Sequence, residues 1–245
     1  MILLAIDSTA RASSAAIGRD GHILVSMHND TGNTHSEQLL PMIENCLMRA
    51  SLSFKDIDAF ACTVGPGSFT GVRIGTSVIK GLAFGTDKPC IEVSALEATA
   101  ENLRPLDGLL CPVMDARRSQ VYTALFESNA EGELLRLCED CAISLAELAE
   151  RCRRELSADR RLYLAGDGYD LAVKELTALG IPCAETPRLL RLQNAASVLA
   201  VAERKLKNGE RKTDLDLSPL YLRMPQAERE RLQKERDTKT VELNS

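Results

Sequence analysis

The sequence predicts an α/β protein built from two similar lobes. Three observations carry that prediction. One succession of elements (three strands, then helix, strand, helix, strand, helix) is legible twice, with a repeat of about a hundred residues. The first strand of each run ends on an aspartate, Asp7 and then Asp115. The chain of 245 residues, 44% hydrophobic and 27% charged, is large enough to bury a core without metals or disulfides.

In the first run, residues 2–6 are a short apolar strand and Asp7-Ser8-Thr9-Ala10 is the turn after it. Residues 13–18 alternate small and apolar side chains as a second strand, and Asp20-Gly21 is a tight hairpin signal leading to a third over 23–28. Thr34 with Glu37 has capping-box spacing and opens a helix to about residue 50. Residues 57–64 read as a buried strand. The glycine-rich turn 65–71 leads into a helix that lasts to about Phe84. A strand over 90–93 and a helix capped by Ser94 and Glu97 complete the run.

The second run begins with a strand over 109–114. A strand over 121–127 follows, then a turn at Glu131-Gly132 and a third strand over 134–138. Ser144 and Glu147 cap a helix to about Leu156. Residues 162–165 form a strand, Gly166-Asp167-Gly168 a turn, and 171–179 a helix stopped by Gly180. A strand over 181–184 and a helix over 193–207 end the pattern. Two ribonuclease-H-like lobes in this order are the plan of the actin, sugar-kinase and Hsp70 (ASKHA) superfamily, in which they face each other across a nucleotide cleft. The expected boundaries are 1–105 for the first lobe and 106–224 for the second. Residues 225–245 form an almost purely charged tail with no apolar stripe to dock it.

Charge argues against direct nucleic-acid binding. The net charge is −5; residues 1–100 carry 7 basic and 10 acidic side chains, and the remainder carries 23 and 25. No apolar run approaches the ~18 residues of a membrane span. The apolar start stops at Asp7 with no basic segment before it, so no secretory leader is expected. The eight cysteines then read as cytosolic thiols of a cytoplasmic protein. Cys138 and Cys141 have the spacing of a zinc or redox pair, but no second pair follows and two acids separate them, so the spacing reads as chance. His22, His28 and His35 form no H-x-x-x-H pair, and no G-x-S-x-G elbow is present.

The sharpest local feature is the stretch from Gly65 to Arg73, between a strand and a helix. Its glycines permit close backbone approach, and free N–H groups at the helix start can hold an anion. Its spacing nevertheless fails both phosphate-loop patterns: no Gly-Lys-Ser/Thr ends it, and its glycines fall at 65, 67 and 71. An anion site and a structural turn both remain open. The two helices flanking this strand are unusually apolar. Leu39, Leu40, Met42, Ile43, Cys46 and Leu47 span roughly 160° of the first, where one sheet needs only a ~100° stripe. Val72, Ile74, Val78, Ile79 and Leu82 fall nearly all round the second. A deep core and a helix-packed protein interface account for such arcs equally well. The interface reading makes Leu39, Leu40, Ile43, Leu47, Val72 and Ile79 candidate partner contacts.

Several segments taken together resemble the TsaB (YeaZ) family. They are Asp7-Ser8-Thr9, His35 with Pro41, the run from Gly65 to Gly75 that includes Gly67 and Ser68, Val93-Ser94-Ala95-Leu96, Asp115-Ala116-Arg117 and Pro219-Leu220-Tyr221-Leu222-Arg223. The resemblance covers about residues 1–225. It implies a non-catalytic scaffold in the bacterial pathway that makes threonylcarbamoyladenosine at position 37 of ANN-decoding tRNAs. The implied partners are the catalytic relative TsaD, the small ATPase TsaE and a second copy of the chain, with tRNA met only through the complex. The metal-binding H-x-x-x-H pair of TsaD falls on Ala95 and Thr99, neither of which can ligate iron or zinc. Its glycine-bearing phosphate loop falls on Asp115-Ala116-Arg117-Arg118-Ser119, where Cβ atoms stand in place of two glycines. Asp7, Ser8, Thr9, Gly65, Gly67, Ser68, Asp115, Arg117 and Arg118 would then line a degenerate nucleotide cleft. This chain alone would bind no cofactor, ATP, ADP and metal belonging to the partners. The rival readings are an active ATP-dependent enzyme of the same fold and a glycoprotease-like peptidase. The first needs the missing glycines and ligands, and the second a nucleophile with a base.

Overall fold

The structure, a computed structural model, describes residues 1–157 and 159–223. The tail expected from residue 225 lies outside the described residues. The first run contains β1 (Ile2–Asp7), β2 (Ser13–Arg19), β3 (His22–Asn29), α1 (His35–Ala50), β4 (Ala59–Gly65), α2 (Phe69–Ala83), β5 (Cys90–Ser94) and α3 (Ala95–Leu103). Its sheet has the order β3-β2-β1-β4-β5, with β1 antiparallel to β2 and parallel to β4. The capping box expected at Thr34 does not form: its side chain caps nothing, and Glu37 donates its N–H to the Thr34 carbonyl at 3.1 Å. Ser94 does cap, accepting from the amides of Leu96 and Glu97.

The second run departs from expectation at its sheet edge. It contains β6 (Gly108–Asp115), β7 (Gln120–Thr123), β8 (Phe126–Ser128), β9 (Leu134–Arg136), β10 (Cys141–Ser144), α4 (Leu145–Glu155), β11 (Leu162–Ala165), α5 (Tyr169–Ala178) and α6 (Ala195–Lys207). The strand expected over 121–127 is interrupted at Ala124 and Leu125. Its halves β7 and β8 keep one register against β6, with Val113 opposite Thr123 and Leu110 opposite Phe126. The third strand, expected over 134–138, is shortened to β9, which pairs with β8, and the unexpected β10 pairs with β7. Residues 141–144 carried no turn signal before them, which hid β10. The strand expected over 181–184 is reduced to a single bridge between Ala184 and Tyr163. With β11 parallel to β6, the second sheet repeats the plan of the first.

Strand alternation sorts side chains between two layers. Leu4, Ile6, Ile17, Phe60 and Cys62 face α1 and α2, whereas Leu3, Ala5, Ala16, Ala59 and Ala61 face α6. The small residues on that second face let the helix approach closely. Helix α6 had been expected in the second lobe but packs on the first sheet. Helix α3 reciprocates, burying Leu96, Ala100 and Leu103 against Leu110, Met114 and Phe126 of the second sheet. The two helices thus form a shared layer between the sheets. Glu101 of α3 is paired there with Arg204 of α6 at 2.8 Å, and Asn194 donates to Asn102 at 2.8 Å. Residues 211–220 also return to the first lobe, so the chain crosses back near residue 193 and the boundary 106–224 does not follow the packing.

The wide apolar arcs of α1 and α2 are mostly core. Leu39 and Ile79 are 0% exposed, and Ile43, Leu47 and Val72 are also buried. Of the six candidate partner contacts, only Leu40, 43% exposed, is available to a partner. The arcs are wide because α1 lies in a corner. It is covered by β2 and β3 on one side and by α2 on another, so one lobe supplies two faces. The outer surface of the pair is made instead by Leu40, Met48 and Phe84, with Ile74, Val78 and Leu82 half-buried beside them.

Candidate functional site

A cleft of about 640 Å³ lies between the lobes. Gly67, Ser68 and Phe69 form one wall, Asp115 and Arg117 the other, and Tyr221 and Arg223 stand at its edge. Chain parity builds it, since β1 and β6 both end there and the turns after them face each other.

The glycine loop packs against the turn that follows β1. Ser68 donates its N–H to the Thr9 carbonyl at 2.7 Å, and Ser8 donates its hydroxyl to the Gly71 carbonyl at 2.9 Å. The Ser68 hydroxyl caps α2 by accepting from Gly71 at 3.3 Å. A Cβ at Gly67 would strike the Thr9 carbonyl, and one at Gly71 the Ser8 carbonyl. Gly65, at φ +120°, has the Leu220 carbonyl where a side chain would stand. These glycines are therefore spent on protein backbone, which accounts for the loop as a structural turn. Gly65-Pro66 is a cis peptide.

Asp7 does not reach the cleft as expected. It lies beneath the floor, 1% exposed, with Oδ1 accepting from the amide of Thr9 at 2.8 Å and from its hydroxyl at 2.7 Å. Oδ2 has no partner at full hydrogen-bond geometry among the described residues, although the Thr63 hydroxyl lies near enough to favour the charged form. Burial raises the carboxyl above its ordinary value, against the hydrogen bonds from Thr9. The folded-state pKa is thus above the unfolded one, so the native state loses stability as pH rises from the unfolded value toward the folded value. Asp7→Asn keeps the acceptor for Thr9 and removes the charge. The variant is expected to melt at a higher temperature than the parent at pH 7, with the difference closing toward pH 4. Equal melting curves at both pH values would show that the buried charge carries no cost.

The opposite wall is made by the 115–119 loop. Arg117, Arg118 and Ser119 have φ of 64°, 56° and 58°, three successive left-handed residues of which none is glycine. The loop is held by several bonds. Asp115 Oδ1 accepts from the Arg117 amide at 2.7 Å, Asp167 Oδ1 accepts from the Asp115 amide at 3.3 Å, and Arg223 donates to the Ala116 carbonyl at 2.8 Å. Asp115 lines the cleft, and Arg117 lies beside it at 3.5 Å, largely exposed. Arg118 is exposed outside the lining. Sequence reasoning did not assign Phe69, Asp167, Tyr221 or Arg223 to the site. The last two could be reached only by knowing that the chain returns across the cleft.

Remaining candidates are accounted for locally. His35 donates from Nε2 to the Ala10 carbonyl at 2.8 Å, which engages it as a structural tie. The Cys138 sulfur accepts from the Leu125 amide, and Cys141 lies against Arg151 at 3.3 Å, with burial raising its thiol. Among the described residues no three His, Cys, Asp or Glu side chains come together as metal ligands.

The family model described as TsaD, tRNA N6-adenosine threonylcarbamoyltransferase, matches residues 27–231. The chain is 33% identical over 171 residues to the tRNA threonylcarbamoyladenosine biosynthesis protein TsaB of Bacillus subtilis, covering 70% of this chain and 73% of that one. It is 30% identical over 233 residues to the TsaB of Haemophilus influenzae, covering 91% and 94%. The crystal structure of YeaZ from Pseudomonas aeruginosa superposes with a TM-score of 0.74 at 28% identity, covering 90% of this chain and 99% of that one. The shared middle layer and doubled sheet plan are those of the two-lobed ASKHA fold. With sequence likeness along nearly the whole described chain and the same architecture, this chain belongs to the TsaB (YeaZ) family of tRNA threonylcarbamoyladenosine biosynthesis proteins.

Proposed function

We propose that the chain is a non-catalytic scaffold of the bacterial complex that forms N6-threonylcarbamoyladenosine at position 37 of ANN-decoding tRNAs. It pairs with TsaD, and TsaE joins the pair in the cytoplasm. The observation that carries this reading is the start of α3. There Ala95 and Thr99 stand where the resemblance places the metal pair of TsaD. Both are buried in the layer between the sheets, and the Thr99 hydroxyl donates to the Ala95 carbonyl at 2.7 Å. Neither supplies a ligand, and the glycine loop is occupied by the Ser8-Thr9 backbone. ATP, ADP and metal are accordingly assigned to the partners.

The pairing surface is the outer face of α1 and α2. An open groove there is lined by Ser36, Phe69, Arg73, Ile74 and Val78, with Leu40 exposed on α1 and Phe84 exposed just past the end of α2. A self-paired dimer through this face would give way to the pair with TsaD, since one surface serves both. The test mixes the chain with TsaD, weighs the product by light scattering, and assays tRNA modification with TsaE present. A one-to-one complex and modification that depends on this chain are expected. Val78→Glu is expected to weaken pairing at least tenfold, because a carboxylate would be buried without a counter-ion. Wild-type pairing by that variant would move the partner surface elsewhere. Absence of any complex would refute the scaffold role.

A further inference from the structure

Residues 211–223 run back along the first lobe and end across the cleft. Lys212 exchanges backbone hydrogen bonds with Cys90 at 2.8 Å, Leu217 is fully buried, and Leu220 donates its N–H to the Val64 carbonyl at 2.7 Å. The next residues touch two separate places. Tyr221 stacks on Phe69 with ring centroids 5.0 Å apart, and its hydroxyl accepts from Arg73 Nε at 2.8 Å. The Arg73 guanidinium lies 3.9 Å from the centre of the Phe69 ring. Two residues later, Arg223 crosses the cleft and donates to the Ala116 carbonyl. Phe69 and Arg73 belong to the outer groove of α2, and Ala116 opens the left-handed 115–119 loop.

We propose that residues 220–223 are a clasp coupling the outer face of α2 to the cleft loop, so that a partner covering Phe69 and Arg73 changes the seating of residues 115–119. Only Leu222 separates Tyr221 from Arg223, so displacing one backbone displaces the other. Arg73 makes no ion pair among the described residues; its cation is engaged only by two rings and a neutral hydroxyl. A partner helix presenting a carboxylate beside an apolar face would draw it away, because a charged acceptor outcompetes a neutral one. On the far side, left-handed non-glycine residues persist only where their surroundings hold them, and Arg223 is the hold that reaches this loop from across the cleft. Only the identity of the partner rests on the scaffold reading; the link itself lies within the chain.

Amide hydrogen exchange on the full chain tests it with two variants, Tyr221→Ala and Arg73→Gln. Both are expected to speed exchange at Leu220 and, in parallel, at Ala116 and Gln120, by about tenfold for an aromatic contact of ordinary strength. The amides of Cys46 and Leu47 in α1 are expected to keep their rates. Faster exchange confined to 220–223, or no change, overturns the clasp. Arg73 is exposed, so Arg73→Gln preserves the fold and decides the matter if Tyr221→Ala loosens the whole chain. A second arm adds TsaD to the parent chain. Protection of α2 together with altered exchange at Ala116 and Gln120 carries the coupling to the partner, and protection of α2 with those amides unchanged overturns it. If TsaD does not bind, the partner reading fails and the clasp is still judged on the two variants.

Discussion

Leu39→Glu and Ile79→Glu are expected to abolish folding of the chain, not merely its pairing. Both side chains are 0% exposed in the core shared by α1, α2 and the first sheet, alongside Ile6, Ile43 and Phe60. Removing the apolar side chain alone costs about 2–5 kcal/mol. Burying a carboxylate there adds several kcal/mol, because the charge loses its hydration with no partner to replace it. The sum reaches the whole stability of an ordinary domain, about 5–15 kcal/mol. Circular dichroism and solubility of the two variants check this. The neighbouring change Leu40→Glu serves as the comparison: its side chain is 43% exposed, and the variant is expected to fold and melt near the parent temperature. Folded Leu39→Glu protein that had lost only its pairing would return the buried arc of α1 to the interface.

That comparison marks where the sequence is legible. Strands and helices were readable from short continuous apolar runs such as residues 2–6, buried on both faces with Leu4 and Ile6 on one and Leu3 and Ala5 on the other, and from helical spacing such as that of Leu39, Ile43 and Cys46. What covers an apolar face was not readable from the face itself. Leu39 and Leu40 are adjacent and chemically alike, yet one meets the sheet and the other meets solvent. The assignment of α6 failed for the same reason. Its apolar stripe of Ala195, Val198, Leu199 and Ala202 is as suited to either sheet, and only the alanine-rich face of the first accommodates it. The second-lobe sheet edge was misread because interruption at Ala124 and Leu125 preserves register, which leaves no change of period to detect.

The candidate site was half legible. The turn after each first strand and the glycine loop are local motifs, and they do meet at the cleft. The role of the glycines was not local. Gly71 is required by the Ser8 carbonyl, 63 residues away in sequence, and the same hydrogen-bonded contact runs from Ser8 to Gly71. Tyr221 and Arg223 enter the cleft from a segment that follows a helix of the other lobe's run. No spacing rule connects such distant pieces.

Three glycines of helix α2 give the sharpest test of that role, because they differ only in what stands beside them. A Cβ at Gly71 would strike the Ser8 backbone carbonyl, one at Gly75 would press on the Ser8 hydroxyl, and one at Gly81 meets no atom within 4 Å. Alanine is favoured over glycine inside a helix by about 1 kcal/mol, and that gain is common to all three. At Gly81 nothing opposes it, so Gly81→Ala is expected to raise stability by about 0.5–1 kcal/mol. At Gly75 a serine side chain can rotate, although the Ser8 hydroxyl then gives up its bond to the Gly71 carbonyl. Ser8 is buried, so its unpaired hydroxyl costs about 2 kcal/mol, and after the helix gain of about 1 kcal/mol Gly75→Ala is expected to be destabilising by about 1 kcal/mol. At Gly71 the obstacle is backbone, and α2 must move off the turn that follows β1. Overpacking of this kind costs about 1–3 kcal/mol and more where backbone is involved, so a net loss of about 2–3 kcal/mol is expected. Each kcal/mol shifts Tm by about 2–4 °C in a chain of this size. Thermal melts of the three variants check the order, with Gly81→Ala above the parent and Gly71→Ala lowest. A Gly71→Ala protein that melts with the parent would mean that α2 moves off the Ser8 carbonyl without cost, and the close approach of that helix to the turn after β1 would not be what requires the glycine.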